Sequence, residues 1–339
     1  MNLLIIGAGR MGIRHCMGAM GVPQVNQIFL VDLNQKALDE AKKQLDSVDK
    51  QNTELHFCIS GEIENVQLNF HIAIIASTVK DRIGTCRLAL SKGCTNMLVE
   101  KPLGQSTTEV DQFIEFAKGS EANIAINLNM RLYDCFIKLK EDLNTFPQLI
   151  GNKVITINTG TIGIGGNGIH YLDLLFYLLD ASRSELVYGQ VEAKRILSGR
   201  GAEFEDYGGW CTIKFYNDED SYLGRAHLSF TAESSVFGGW DIVAPHGNIR
   251  INEVEQSRID ILRNPSSKLP IYRYAGDYLP PETSKFAGPF LGDLTRKWVQ
   301  NIIIGKQILP SVNESVKTHH LLFEWLSLNQ DKKNSFSIT

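Results

Sequence analysis

The sequence predicts an α/β domain with a doubly wound parallel sheet, followed by an α+β domain whose sheet is open and mostly antiparallel. Three observations carry that prediction. The chain has 339 residues, too many for one ordinary core when domains run to roughly 100–200 residues. Through about residue 122, short apolar runs alternate with helical stretches. That alternation calls for right-handed crossovers and a parallel sheet covered on both faces. Beyond residue 123 the apolar runs lengthen and group together, as in an antiparallel sheet. The expected division is therefore 1–122, 123–289, and closing helices at 290–330 that pack back on the body.

The elements follow in order. Leu3–Ile6 reads as a buried strand and Arg10–Met20 as a helix. Gln27–Val31 is a second strand, and Lys36–Leu45 an amphipathic helix. Leu55–Ile59, Ile72–Ala76 and Asn96–Val99 are further strands. Arg82–Ser91 is a helix ended by Gly93, and Glu109–Ala117 a helix ended by Gly119. Ile124–Leu128 completes the first sheet, and Phe136–Leu143 is a helix. The second group of strands is Lys153–Thr161, Leu186–Ile196, Trp210–Tyr216, Tyr222–Phe230, Trp240–Ala244 and Asn248–Ile251. One strong helix, Ile169–Leu179, interrupts them. Residues 264–289, rich in Pro, Ser, Tyr and Gly, read as a surface loop in which Tyr272-Arg273-Tyr274 looks exposed. Phe290–Gly305 and Asn313–Leu328 read as two amphipathic helices. Phe29, Phe57 and Phe70 fall in or near strands and read as core.

Composition narrows the function classes. The charged share is 21%, and a net charge of −4 gives no general field to draw nucleic acid or an acidic membrane. No apolar run reaches the ~20 residues of a membrane helix. The apolar start is broken at once by Gly7-Ala8-Gly9, so it does not read as a secretory leader. Cys16, Cys58, Cys86, Cys94, Cys135 and Cys211 show no Cys-x-x-Cys pairing. Reduced thiols in the cytoplasm are expected, with no metal site.

Gly7-Ala8-Gly9-Arg10-Met11-Gly12 matches G-x-G-x-x-G between a strand and a helix. In that context Gly7 makes the tight turn, Gly9 lets backbone approach a pyrophosphate, and Gly12 lets helix pack on strand. The helix N-terminus, with Arg10 and Met11, then faces the phosphates. Asp32 ends the second strand 20 residues after Gly12, where a carboxylate meets the ribose hydroxyls of a dinucleotide. No Arg follows at Leu33 or Asn34, so NAD is favoured; Lys36 keeps NADP open.

Val99-Glu100-Lys101-Pro102 follows an apolar strand. Ligands of doubly wound sheets lie at the carboxyl ends of strands. A lysine there can take or return the proton when an alcohol is oxidised, and burial lowers its pKa. Glu100 can orient the lysine or the cofactor, and the bond before Pro102 can be cis. The competing reading is an exposed strand-end salt bridge.

Together the glycine loop, the strand-end Asp32 and the Val99-Glu100-Lys101-Pro102-Leu103 run resemble the Gfo/Idh/MocA oxidoreductases. The resemblance extends through Asn127-Leu128-Asn129-Met130-Arg131 to the closing helices with Leu309-Pro310-Ser311. It implies a Rossmann domain plus an α/β domain whose open sheet often forms the oligomer interface, so a homodimer or homotetramer is expected. It implies hydride chemistry on hydroxyl groups of sugars, inositols or nucleotide sugars, with Lys101 as the proton-transfer residue. Ser77 and Thr78, after the fourth strand, fall where the family contacts the cofactor. A helix N-cap is an equal reading for Thr78.

Gly165-Gly166-Asn167-Gly168-Ile169-His170-Tyr171-Leu172-Asp173 resembles the family's catalytic helix, and His170 matches its histidine. A glycine-rich entry lets a substrate come close to backbone. His170 and Asp173 share a helix face, so Asp173 can hold the histidine or a substrate hydroxyl. Many members carry an aspartate four residues before the histidine; this chain has Gly166, with Asn167 as the polar candidate beside it. Proton handling is then expected of Lys101 and His170, with Asn167, Asp173 and Arg131 toward the substrate. For Arg131 a salt bridge between domains is the safer reading. Arg82 reads as a solvated helix charge and His15 as packing. Two other classes stay open: a cofactor-binding sensor or co-repressor without turnover, and a lyase or epimerase that uses NAD transiently.

Overall fold

The computed structural model describes residues 1–49, 52–160, 162–197, 204–268 and 277–328, together with Phe336 and Ile338. Thr161 and Tyr272-Arg273-Tyr274 lie outside the described residues. Two compact units share the chain. One is Met1–Asn129 with Pro289–Val316, and the other is Met130–Gly288 with Lys317–Thr339.

The first unit is a six-stranded parallel sheet. Its strands are β1 (Asn2–Ile6), β2 (Gln27–Asp32), β3 (Glu54–Ile59), β4 (Ile72–Ile75), β5 (Asn96–Val99) and β6 (Asn123–Ile126). Their order across the sheet is β3-β2-β1-β4-β5-β6, every pair parallel. The direction of travel reverses between β1 and β4, so the loops after those two strands part at the sheet's carboxyl edge. Near-continuous apolar strands suit a sheet buried on both faces: Leu3, Leu4 and Ile5 of β1 and Ile72–Ile75 of β4 are buried. The helices are α1 (Arg10–Met20), α2 (Gln35–Leu45), α3 (Arg82–Ser91) and α4 (Thr107–Lys118). A later helix of this unit, Leu291–Ile303, crosses α1 closely. A Cβ on Gly18 would strike the carbonyl of Gly292, so these two glycines set how near the helices come.

In the second unit, α5 (Asp134–Thr145) leads to β7 (Lys153–Gly160) and then α6 (Ile169–Leu179). The strands β8 (Arg183–Leu197), β9 (Glu205–Tyr216), β10 (Tyr222–Thr231), β11 (Gly239–Ala244), β12 (Gly247–Asn252), β13 (Ser257–Leu262) and β14 (Glu282–Lys285) follow. They form an eight-stranded sheet ordered β14-β13-β12-β11-β7-β10-β9-β8, in which only β7 and β10 pair in parallel. Alternation sets the faces. Ile213 and Phe215 of β9 and Ala226, Leu228 and Phe230 of β10 are buried, while Trp210 is 47% and Tyr188 71% exposed. The helices α7 (Leu291–Ile303) and α8 (Val312–Leu326) come after the last strand.

Two strands depart from expectation. β13 lies beyond the last predicted strand, and β14 lies inside the stretch 264–289 read as a loop. Its residues, Glu282 to Lys285, are all exposed. An edge strand with no buried face carries no apolar alternation, so its sequence reads as loop.

Candidate active site

Three glycines build the turn after β1, each for a different reason. Gly7 has φ +109°, a region open to glycine, and a Cβ there would press on the backbone of Ala76 and Ser77 after β4. A Cβ on Gly12 would collide with the carbonyl of Gly7. The protein itself therefore demands glycine at 7 and 12. A Cβ on Gly9 would meet nothing within 4 Å. Gly9 also stands at the N-terminus of α1, where no side chain caps the helix. Arg10 is exposed beside it and Met11 half-buried.

Asp32 ends β2 and ties the edge together. Its Oδ2 accepts the Ala8 N–H at 2.7 Å and its Oδ1 the Asn34 N–H at 2.9 Å. The carboxylate therefore anchors the glycine turn as well as facing outward. A carboxylate offers about four acceptor sites, so hydroxyls can still be received. A cleft of about 420 Å³ opens here, lined by Gly7, Asp32, Leu33, Ser60, Ser77, Thr78, Lys80, Asp81, Gly84, Thr85 and Leu88 among others. That volume falls in the range of small-molecule sites. The cleft brings together Gly7, Asp32, Ser77 and Thr78 of the sequence candidates. Lys80 joins them, whereas Lys36 is exposed on α2 and is not among the lining residues.

Thr78 does not cap the turn that follows it. Asp81 caps α3 instead, accepting the Gly84 N–H at 3.0 Å. Ser77 Oγ is buried with no hydrogen-bond partner among the described residues. A buried hydroxyl without a partner, on the wall of a cleft, fits a site made to receive a polar ligand. Arg82 corrects its sequence reading: it is buried, and its guanidinium donates to Ser77 O at 3.2 Å and Pro102 O at 3.1 Å. It straps the loop after β4 to the loop after β5.

Glu100 and Lys101 are 5% and 4% exposed, so the reading as a solvated salt bridge is excluded. The Lys101–Pro102 bond is cis. Glu100 Oε1 receives Asn127 Nδ2 at 2.7 Å and lies 3.1 Å from His15 Nε2. Oε2 is buried with no partner among the described residues. Burial drives the Glu100 carboxyl upward, but the His15 hydrogen bond and charge, the Lys101 charge and the Asn127 hydrogen bond together bring it down to about 2. His15 is more than packing, and neither it nor Thr295 was marked by any motif.

The second unit holds the other candidates. A π-helical turn, Ile164–Gly168, leads into α6. Asn167 is exposed on that turn, and His170 is half-buried in the first turn of α6. Asp206, from the start of β9, accepts the N–H groups of Gly165 at 2.9 Å and Gly166 at 2.6 Å. The glycines of this run answer to the protein's own packing: Cβ atoms at Gly163, Gly165 and Gly168 would collide with Asp206, Ile338 and Phe230. Arg131 and Asp173 bind each other through two hydrogen bonds of 2.6 and 2.7 Å. The salt bridge of Arg131 is thus made inside its own unit. Burial pushes Asp173 up and Arg131 draws it back, leaving it raised. Next to His170, Tyr171 donates to Glu253 at 2.7 Å, as Trp240 Nε1 does at 2.8 Å.

No helix among the described residues is long and apolar enough to cross a membrane. No group of three metal-ligating side chains is found among them. No family model matches the chain, and no curated protein matches it in sequence. Solved structures do match. An NAD binding oxidoreductase from Klebsiella pneumoniae aligns with TM-score 0.72 at 16% identity, over 97% of this chain and 96% of that one. An oxidoreductase from Agrobacterium radiobacter, solved with NAD+, L-tartaric acid and magnesium, gives 0.70 at 14% identity over 96% of each chain. UDP-N-acetylglucosamine 3-dehydrogenase from Acidithiobacillus ferrooxidans gives 0.69 at 14%, over 98% of each. At these identities the likeness establishes the shared fold, a parallel Rossmann sheet joined to a mostly antiparallel one.

The buried Glu100 carries a stability prediction. Its folded pKa lies below the ordinary 4.5, so its contribution is present above that pH and is lost as pH falls toward about 2. Urea unfolding of the native chain across that window should show the loss. Glu100→Gln should lower stability by about 3 kcal/mol at pH 7, as for breaking a buried pair, and should flatten the acid limb. An unchanged acid limb in the variant would contradict the assignment.

Proposed function

We propose that the chain is an NAD(P)-dependent oxidoreductase of the Gfo/Idh/MocA type. It interconverts a hydroxyl and a ketone on a sugar, inositol or nucleotide-sugar substrate, with NAD the favoured cofactor. The observation that carries the reading is Gly9. Its neighbours Gly7 and Gly12 are required by backbone contacts inside the chain, while a Cβ at Gly9 would meet no atom of the described residues within 4 Å. A glycine that the fold does not need, at an uncapped helix N-terminus, is explained by a phosphate approaching the backbone.

In this reading the turn Gly7–Gly12, with Arg10 and Met11, holds the pyrophosphate. Asp32 receives the ribose hydroxyls, and Ser77 and Thr78 line the same cleft. NAD, when bound, supplies a hydride acceptor at C4 of its nicotinamide ring. Lys101, buried at the end of β5, takes the hydroxyl proton during oxidation and returns it during reduction. Glu100 fixes the lysine's turn and borders the cofactor. His170 shares the proton or donates to the reacting oxygen. Asn167, exposed on its turn, binds a substrate hydroxyl. Arg131 and Asp173, each satisfied by the other, hold the helix of His170 behind the substrate. The sugar-like substrate class rests on the motif resemblance and is supported by the fold shared with a UDP-N-acetylglucosamine 3-dehydrogenase.

The exposed face of the second sheet, with Trp210, Tyr188 and Val243, is covered by a second copy in a dimer or tetramer. Light scattering should give a mass of at least twice the 37.9 kDa of one chain; a monomer at micromolar concentration would reject this.

Lys101→Ala should abolish NADH formation on a panel of sugars, inositols and nucleotide sugars while NAD still binds. Full activity in that variant removes Lys101 from the mechanism. With the native chain, product without net NADH favours a transient redox cycle, and tight NAD binding without product favours a sensor. The cofactor claim has its own test. Asp32→Ala should weaken NAD roughly tenfold to a hundredfold, as for lost hydrogen bonds to a charged group, and should weaken NADP less. Equal loss of both would reject the ribose contact and leave only the anchor to Ala8.

A further inference from the structure

The cleft that holds Asp32 also holds a cation. Lys80, in the short turn Val79–Asp81 between β4 and α3, is exposed and lines the cleft with Asp32, Leu33, Ser60 and Leu88. It is the one cation among the described residues that line it. Gly9, Arg10 and Met11 of the phosphate turn are not among the lining residues. Leu33, 86% exposed, and Leu88 offer apolar surface for a base. Lys80 therefore stands with the residues of the adenosine end, away from those that face a pyrophosphate. The residues after β2 supply no cation there. Leu33 has no donor on its side chain. Asn34 is committed to its own turn, donating its N–H to Asp32 at 2.9 Å and accepting the Lys36 N–H at 3.0 Å to cap α2. Polar groups reach the cleft from the neighbouring strands instead. Ser60 follows β3, and its N–H donates to Asp32 O at 3.0 Å, which sets it beside the tip of β2.

We propose that Lys80 and Ser60 form a subsite for the 2′-phosphate of NADP, so that the cleft takes NADP as a second cofactor beside NAD. The inference rests on the reading of this cleft as the dinucleotide site. A phosphate monoester carries roughly −1.5 to −2 charge at pH 7. Asp32 alone repels it and bars NADP. The other carboxylate of the cleft, Asp81, is turned to its own helix: its Oδ1 accepts the Gly84 N–H at 3.0 Å, and the N-terminus of α3 offsets its charge. Lys80 is left to answer Asp32. An ammonium on a flexible stem meets a phosphate as a point charge, with no fixed fork to align. The Ser60 hydroxyl adds a neutral donor. Cofactor choice is a difference of two affinities. Asp32 places NAD first by accepting its ribose hydroxyls, and Lys80 keeps NADP within reach by offsetting the repulsion.

The test is calorimetric titration of the full chain with NAD and with NADP, which needs no substrate. The native chain should bind both, NAD the tighter. In Lys80→Ala the ratio of NADP affinity to NAD affinity should fall about tenfold, as for one lost contact to a charged group. Ser60→Ala should move the ratio the same way by a smaller factor, and Lys80→Arg should keep it near the native value. The fall caused by Lys80→Ala should recur in an Asp32→Ala background, because the partner of the ammonium is the phosphate. Lys80 is exposed, so its removal leaves the fold intact. An unmoved ratio in Lys80→Ala overturns the proposal, including the case in which both affinities fall together and the ammonium serves a part that the two cofactors share. A native chain that binds NAD and not NADP also overturns it. A native chain that binds neither removes the dinucleotide reading and the subsite with it, and the lost NAD binding tells that failure from a failure of Lys80 alone.

Discussion

The carboxylate of Glu100, taken out of water at the end of β5, sets conditions that its surroundings must meet. Burying a charge is costly unless it is paired and hydrogen-bonded. The compensation comes from three other elements: His15 on α1, Asn127 after β6, and Thr295 on α7 acting through His15. For α7 to take part it must lie almost against α1, and the glycines at 18 and 292 make that approach possible. One charge thus links residues near both ends of the chain and explains two glycines outside any recognised motif. It also explains why a polar row can sit inside a unit whose strands are otherwise apolar.

The two glycine-rich runs show how one compositional signal arises from different causes. At 7–12, two glycines answer to backbone contacts and one faces open space. At 163–168, the side chains of Asp206, Ile338 and Phe230 fill the space beside the glycines. The first run leaves one position open, whereas the second is filled by the protein's own packing. Sequence pattern treats them alike, because a missing Cβ looks the same whatever would have occupied its place.

Much of the first unit was legible because its signals are local. A buried strand, a glycine turn and an amphipathic helix recur at short range, so β1, α1, β2 and the Asp32 position follow from periodicity and spacing. The helix Ile169–Leu179 was legible for the same reason. β14 was not, since an exposed strand has no apolar alternation to read. Arg82 and His15 were misjudged because burial of a polar residue depends on partners distant in sequence. His15 and Thr295 lie 280 residues apart, and no window along the chain contains both. A salt bridge was legible for Arg131, but not its partner: Asp173 lies 42 residues on, 2.6 Å away.

Gly166 too depends on a partner distant in sequence. Read along the chain, the turn before His170 has no carboxylate, and the nearest polar side chain is Asn167. In space a carboxylate is there. Asp206 Oδ2 accepts the Gly166 N–H at 2.6 Å and would lie 2.8 Å from a Cβ at that position. A side chain at 166 would press its Cβ on Asp206 Oδ2, and an acidic one would also set two like charges together. The glycine at 166 and the aspartate at 206 are therefore two halves of one arrangement. Negative charge at the entry to α6 is supplied from β9, and the local sequence gives way to receive it.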